Sequence, residues 1–110
     1  MKDELKRYLE DVLHSILKIE AFKVSTPSFQ QYESNDLVKS AVQWQLSVIG
    51  EALNNALRME PGLSITNARK VVDMRNKLIH GYDEVEDTVV WNVIIKYIPL
   101  LKSEIEQLLK

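Results

Sequence analysis

Hydrophobic residues recur at intervals of three and four through most of this chain, a spacing that predicts helices rather than strands. From Asp3 to about Phe22 the apolar positions are Leu5, Tyr8, Leu9, Val12, Leu13, Ile16, Leu17, Ile19 and Phe22, with no glycine or proline among them. His14 falls beside that stripe, where a surface or boundary position is expected. Ser25-Thr26-Pro27-Ser28 interrupts the pattern: proline biases the residue before it toward extended backbone and can open a helix after it. Phe29 to Ser34 shows no decisive periodicity. A second helix is expected from about Asp36, with Leu37, Val38, Ala41, Val42, Leu46, Ile49, Ala52, Leu53, Ala56 and Leu57 on its apolar side and Trp44-Gln45 on its flank. Gly50 lies inside it, where glycine costs about 1 kcal/mol relative to alanine. Either another helix approaches closely there, or the glycine is simply tolerated.

Glu60-Pro61-Gly62 reads as a turn. Thr66 or Asn67 can cap a third helix, whose apolar side is Ala68, Val71, Val72, Leu78 and Ile79, and Gly81 is expected to stop it. An acidic connection, Asp83 to Asp87, leads to a fourth helical pattern from Val89 to Leu109. Pro99 lies within that pattern and clashes with the carbonyl four residues earlier, so a kink near Ile95 or two successive helices are expected. Trp91 reads as a core or subunit-interface residue. The expected fold is all-α: one domain over residues 1–110, an antiparallel bundle of four to five helices.

Composition narrows the function more than the fold. With no cysteine, disulfides and thiolate metal sites are excluded. The N-terminus is charged and lacks the apolar core of a signal peptide, and no run approaches the ~18 apolar residues of a membrane span, so a cytoplasmic, membrane-free protein is expected. A net charge of −2 argues against general high-affinity binding to nucleic acid. A local site remains open, because Thr66 to His80 carries Arg69, Lys70, Arg75 and Lys77 against Asp73 alone.

The chemically capable side chains crowd into Arg75-Asn76-Lys77-Leu78-Ile79-His80-Gly81-Tyr82. Arg75 and His80 are five apart, roughly 140° around a regular helix, and so cannot share one face of it. Either the last turn before Gly81 loosens or a second copy of the chain completes the site. The negative end of the helix dipole repels phosphate, so side chains must hold any phosphate here, chiefly Arg75 with Lys77 or Lys70. Arginine binds phosphate oxygens in pairs, and histidine exchanges protons near neutral pH. Together they suit metal-independent RNA cleavage, in which a base activates the ribose 2′-hydroxyl and the guanidinium stabilises the charge building on phosphorus. Such a pair also arises by chance at many solvated helix ends.

The same octapeptide resembles the R-x4-H-x-Y motif of the HepT-like proteins of the HEPN superfamily. Leu46-Ser47-Val48-Ile49-Gly50-Glu51-Ala52 is similar to that family's second-helix signature, and Val89-Val90-Trp91 with Ile98-Pro99-Leu100-Leu101 resembles its C-terminal helix. The resemblance spans essentially the whole chain. It implies a HEPN-like homodimer whose two motifs face a shared cleft. It also implies a ribonuclease toxin of a type VII-like toxin–antitoxin system, partnered by a nucleotidyltransferase antitoxin and requiring no cofactor or metal. Carried over, Arg75 and His80 are the catalytic pair, Asn76 and Lys77 support substrate binding, and Tyr82 contacts substrate and accepts AMP. The alternative is a non-catalytic nucleotide- or substrate-binding partner of the nucleotidyltransferase. Two departures, Asp83 after the tyrosine and Trp44-Gln45 where members often carry arginine, lower the positive charge around the presumed cleft. Glu51 can pair with a basic residue near the motif or stand exposed.

Overall fold

A computed structural model describes residues 1–80 and 85–110. Gly81, Tyr82 and Asp83, which carry the expected helix stop, the AMP acceptor and the first acidic residue of the connection, lie outside the described residues. The elements are α1 (Asp3–Ser25), α2 (Phe29–Glu33), α3 (Asp36–Met59), α4 (Ala68–His80), α5 (Asp87–Asn92), a π-helical turn (Val93–Tyr97) and α6 (Ile98–Leu108). Among the described residues there is no strand, and no helix is long and apolar enough to cross a membrane. The all-α bundle expected from the spacing is the fold.

The long helix α3 is central, packing against α1 on one side and α4 on the other, while α6 closes over α1. Leu9, Val12 and Ile16 of α1 and Leu46, Ile49 and Leu53 of α3 are fully buried in one continuous core. Each such side chain contributes about 1.5–3 kcal/mol by leaving water. Polar links set the outer helices: Lys102 of α6 reaches Glu20 of α1 at 3.1 Å, and Glu104 accepts the Thr66 backbone N–H at 2.9 Å. Asn67 then leads into α4. Its φ of 63° is a left-handed conformation that asparagine tolerates, and its carbonyl accepts from Lys70 N–H at 3.0 Å.

Local chemistry explains the segments that periodicity left open. The ambiguous stretch after Pro27 is a single helical turn with a capping box: Ser28 Oγ accepts from the Gln31 N–H, and Gln31 Oε1 accepts from the Ser28 N–H, each at 3.2 Å. Near Pro99 the chain resolves its clash by splitting the C-terminal pattern. Ile98 N–H bonds back five residues to the Val93 carbonyl, and Pro99 falls in the first turn of α6, where its missing N–H costs little. The π turn is centred on Ile95, the residue whose carbonyl the proline ring would strike. Trp91 is half-buried and packs against the core, edge-on to Phe29 at 6.2 Å and on Tyr32 at 5.3 Å between ring centroids.

Some side chains depart from the apolar reading. Leu37 is 82% exposed and Val89, Ile95 and Leu100 are over 40% exposed, whereas Gln45 and Met74 are buried. Helical spacing places a residue on an arc, but the width of the covering helix decides whether the arc's edge is wet.

Gly50 is the close approach that its position suggested. A Cβ there would collide with Arg75 Cβ and lie 2.7 Å from Arg75 Cγ. Those atoms are the root of the arginine side chain, so relief requires α3 and α4 to move apart. Gly50→Ala gains about 1 kcal/mol of helix propensity and loses about 1–3 kcal/mol to overpacking. We expect the steric loss to win, lowering the melting temperature by several degrees in a thermal denaturation measurement; an unchanged or raised midpoint refutes the close packing.

Tyr32 is fully buried and, among the described residues, its hydroxyl has no hydrogen-bond partner. Burial, with a smaller push from Asp87, raises its pKa far above the usual value near 10. The unfolded chain therefore loses the phenolic proton first, and stability falls as pH rises above about 10. The Lys39–Asp87 ion pair (2.9 Å) adds to the trend: that hydrogen-bonded pairing raises the Lys39 pKa, so its contribution is present below the ordinary lysine pKa and lost as pH rises through the raised one. Tyr32→Phe removes an unsatisfied hydroxyl and is expected to be neutral or stabilising by up to about 1 kcal/mol at pH 7. It should also flatten the alkaline decline in denaturation midpoints measured from pH 8 to 11.

Candidate active site on the third long helix

Helix α4 turns Ala68, Val71, Val72 and Met74 into the core and leaves Arg69, Lys70, Asp73, Asn76, Lys77 and His80 exposed. The cations are therefore a solvated face rather than a random scatter. The helix stays regular through His80, so its last turn does not loosen to bring His80 round to Arg75. Arg75 faces α3, half-buried, while His80 stands in solvent on another arc.

Arg75 is held in several ways. Its aliphatic stem crosses α3 at Gly50, the one residue type that leaves room for it. Its Nη2 pairs with Glu51 Oε2, and its Nη1 donates to Asn76 Oδ1 at 2.7 Å. Its Nε is buried and, among the described residues, has no partner. Only 21% of the side chain is exposed, against 52% for Glu51. The guanidinium thus carries a neutralising carboxylate and a fixed plane, with little freedom to swing into solvent. Asn76 lies beside Arg75 and accepts from its Nη1. Lys77 points toward the opposite flank of α4.

Two hollows flank α4. One, of about 440 Å³, opens between α1, α3 and α4. Trp44, Val48 and Ile79 give it apolar walls, and Tyr8, Asp11, Glu51, Asn55 and Arg75 supply polar groups. The Tyr8 phenol donates to Glu4 at 3.2 Å; that hydrogen bond, with burial, holds its pKa above the ordinary value, so the phenol stays neutral. The second hollow, of about 320 Å³, lies between α4 and the π turn, with Lys70, Lys77, Asn92 and Tyr97 on its rim. Lys70 Nζ donates to Tyr97 Oη at 3.2 Å and sits 5.1 Å from the ring centroid. Among the described residues, no three His, Asp or Glu side chains gather as a metal-binding group.

Sequence reading had singled out Glu51 only as an open choice, and it passed over Tyr8, Asp11 and Asn55. The signal for α3 was present: positions 44, 48, 51 and 55 are helical neighbours, and Trp44, Val48, Glu51 and Asn55 all line one groove. Nothing in the sequence placed Tyr8 and Asp11 of α1 opposite them, because that depends on how the helices cross.

Known proteins resemble this chain along nearly its whole length. The family model "Ribonuclease HepT-like" matches residues 12–108. The "Probable ribonuclease HepT" of Thermococcus cleftensis is 35% identical, over the full length of both chains. "Putative RNase TTE0752" of Caldanaerobacter subterraneus subsp. tengcongensis is 30% identical, over 94% of this chain and 92% of its own. "Putative RNase MJ1380" of Methanocaldococcus jannaschii is 28% identical, over 96% of each. No solved structure matches. Matched by the family model over residues 12–108 and 35% identical to a relative over the full length of both chains, the chain belongs to the ribonuclease HepT-like family.

Proposed function

We propose that this protein, read as a single domain over residues 1–110, is a metal-independent endoribonuclease whose active site is shared between two copies of the chain. The observation that carries the shared site is the unbroken course of α4 through His80. One copy offers Arg75 from the α3 side of the helix and His80 from its solvent face, about 140° apart, so one chain does not converge them on a single phosphate. Two helices facing across a two-fold axis do. That arrangement also supplies two imidazoles, one to take the 2′-hydroxyl proton and one to protonate the leaving 5′-oxygen.

In this mechanism the 2′-oxygen attacks the adjacent phosphorus and the 5′-oxygen leaves, giving a 2′,3′-cyclic phosphate and a 5′-hydroxyl end. Arg75 stabilises the extra charge on the phosphoryl oxygens, and Asn76 and Glu51 hold its plane ready. Lys77, with Arg69 and Lys70 on the same solvated face, neutralises flanking phosphates. Tyr82 follows His80 by two positions. An AMP group placed on it by a nucleotidyltransferase antitoxin adds bulk and negative charge beside the histidine and silences the site. Such a pair is a type VII-like toxin–antitoxin system of the cytoplasm.

The test compares wild type with His80→Ala and Arg75→Ala, each expressed without a partner, in an RNA cleavage assay containing EDTA. Wild type is expected to cleave and leave cyclic phosphate ends, and each variant to be at least about 100-fold slower. His14→Ala, on the exposed side of α1, is expected to cleave like wild type. Absence of cleavage by wild type, with intact mass showing Tyr82 unmodified, assigns the protein instead to non-catalytic binding beside the nucleotidyltransferase.

A further inference from the structure

The groove between α1, α3 and α4 holds Arg75 at its edge, yet its chemistry is wrong for phosphate. Two carboxylates, Asp11 and Glu51, line it against the single guanidinium, and Glu51 is already paired with that guanidinium. Its remaining walls are apolar (Trp44, Val48, Ala52 and Ile79) or uncharged polar (Tyr8, Ser47 and Asn55). The cations that suit a phosphate backbone lie elsewhere, on the solvated face of α4. A groove of about 440 Å³ falls in the ~300–1,000 Å³ range of sites that enclose a small planar ligand.

We propose that this groove is a nucleobase subsite, which takes one base of the RNA strand and favours guanine. The inference rests on the ribonuclease reading and deepens it by naming what the enzyme recognises beside the cut. Trp44 carries the stacking. It is 68% exposed on a helix whose other large apolar residues, Leu37 apart, are buried or half-buried, and it stands in the wall of the groove. A base laid on an indole gains stacking whatever its sequence, so Trp44 supplies affinity rather than choice.

The choice comes from the carboxylates. An ionised carboxylate only accepts hydrogen bonds. Guanine presents two adjacent donors, N1–H and the N2 amino group, that one carboxylate accepts in parallel. Uracil and thymine present a single N–H between two carbonyl oxygens, which a carboxylate repels. Glu51 is occupied by Arg75, so Asp11 is the acceptor, and the Asn55 amide can serve a donor or an acceptor on the same base edge. With the base inside the groove and the backbone turned out toward α4, Arg75 stands where the two regions meet.

The test uses Trp91→Phe, which leaves Trp44 as the only tryptophan. The probes are single-stranded deoxy decamers, one all thymine and one with guanine at alternate positions; lacking 2′-hydroxyls, neither is cut. Trp44 fluorescence is expected to be quenched on binding, with the guanine decamer at least about tenfold tighter, the size of one good base contact. Asp11→Asn is expected to abolish the guanine preference while retaining quenching. Trp44→Ala, followed by fluorescence anisotropy of labelled decamer, is expected to weaken binding about tenfold. Binding without quenching of Trp44, or equal affinity for both decamers in Trp91→Phe, overturns the proposal. So does conversion of a dimer to monomer by Trp44→Ala in sedimentation, which makes the groove a contact between copies. Because these probes measure binding without cleavage, failure of the ribonuclease reading shows in the EDTA assay and failure of the subsite shows here.

Discussion

The packing of α4 onto α3 turns on one contact, the crossing of the Arg75 stem over Gly50. Without a side chain at position 50 the two helices approach until the arginine's Cβ and Cγ touch backbone. That proximity fixes the register of α4, and with it the placement of every charged residue the helix carries. It also sets the guanidinium beside Glu51, one residue along α3, and leaves its Nε sealed from water. A cation held this way has lost most of its rotamer freedom before any ligand arrives. The desolvation cost is offset by the carboxylate and the Asn76 amide.

A division of labour on the surface follows. The core-facing arc of α4 is apolar, one flank carries Arg75 into a groove with carboxylates, and the solvated arc carries the lysines, Arg69 and His80. Acidic overall charge and a nucleic-acid substrate are compatible under this arrangement, because the positive residues are concentrated on one helix rather than spread over the molecule. The same arrangement keeps Arg75 and His80 on different arcs of the helix. Regular helix geometry separates residues five apart, and only symmetry or distortion brings them together.

The C-terminal segment shows how a local conflict is absorbed without loss of packing. Pro99 cannot sit in an unbroken α-helix, yet Val93, Ile94, Ile98 and Leu101 all need to face the core. A π turn gives one extra residue, keeps those side chains inward and leaves Ile95 exposed. The half-buried Tyr97, set by that turn, then meets Lys70 of α4.

Much of this was legible in the sequence. Three- and four-residue spacing fixed the long helices, Pro99 marked the place where the last one changes form, and Gly50 marked a close approach. The motif from Arg75 to Tyr82 pointed to the family by its residue types. The Ser28-x-x-Gln31 turn was also written in the sequence, as a capping box too short to show periodicity. What only the tertiary structure decided was which arcs are covered. Gln45 and Met74 went inside while Leu37 and Ile79 stayed wet, because burial depends on the partner helix and not on the residue alone. The partner of Arg75 was settled the same way. Position 51 is 24 residues distant in sequence, and only the angle at which α3 meets α4 makes it the nearest carboxylate. Spacing along a helix is a local property that sequence specifies directly; contact between helices is a long-range property that the packing of the whole core selects.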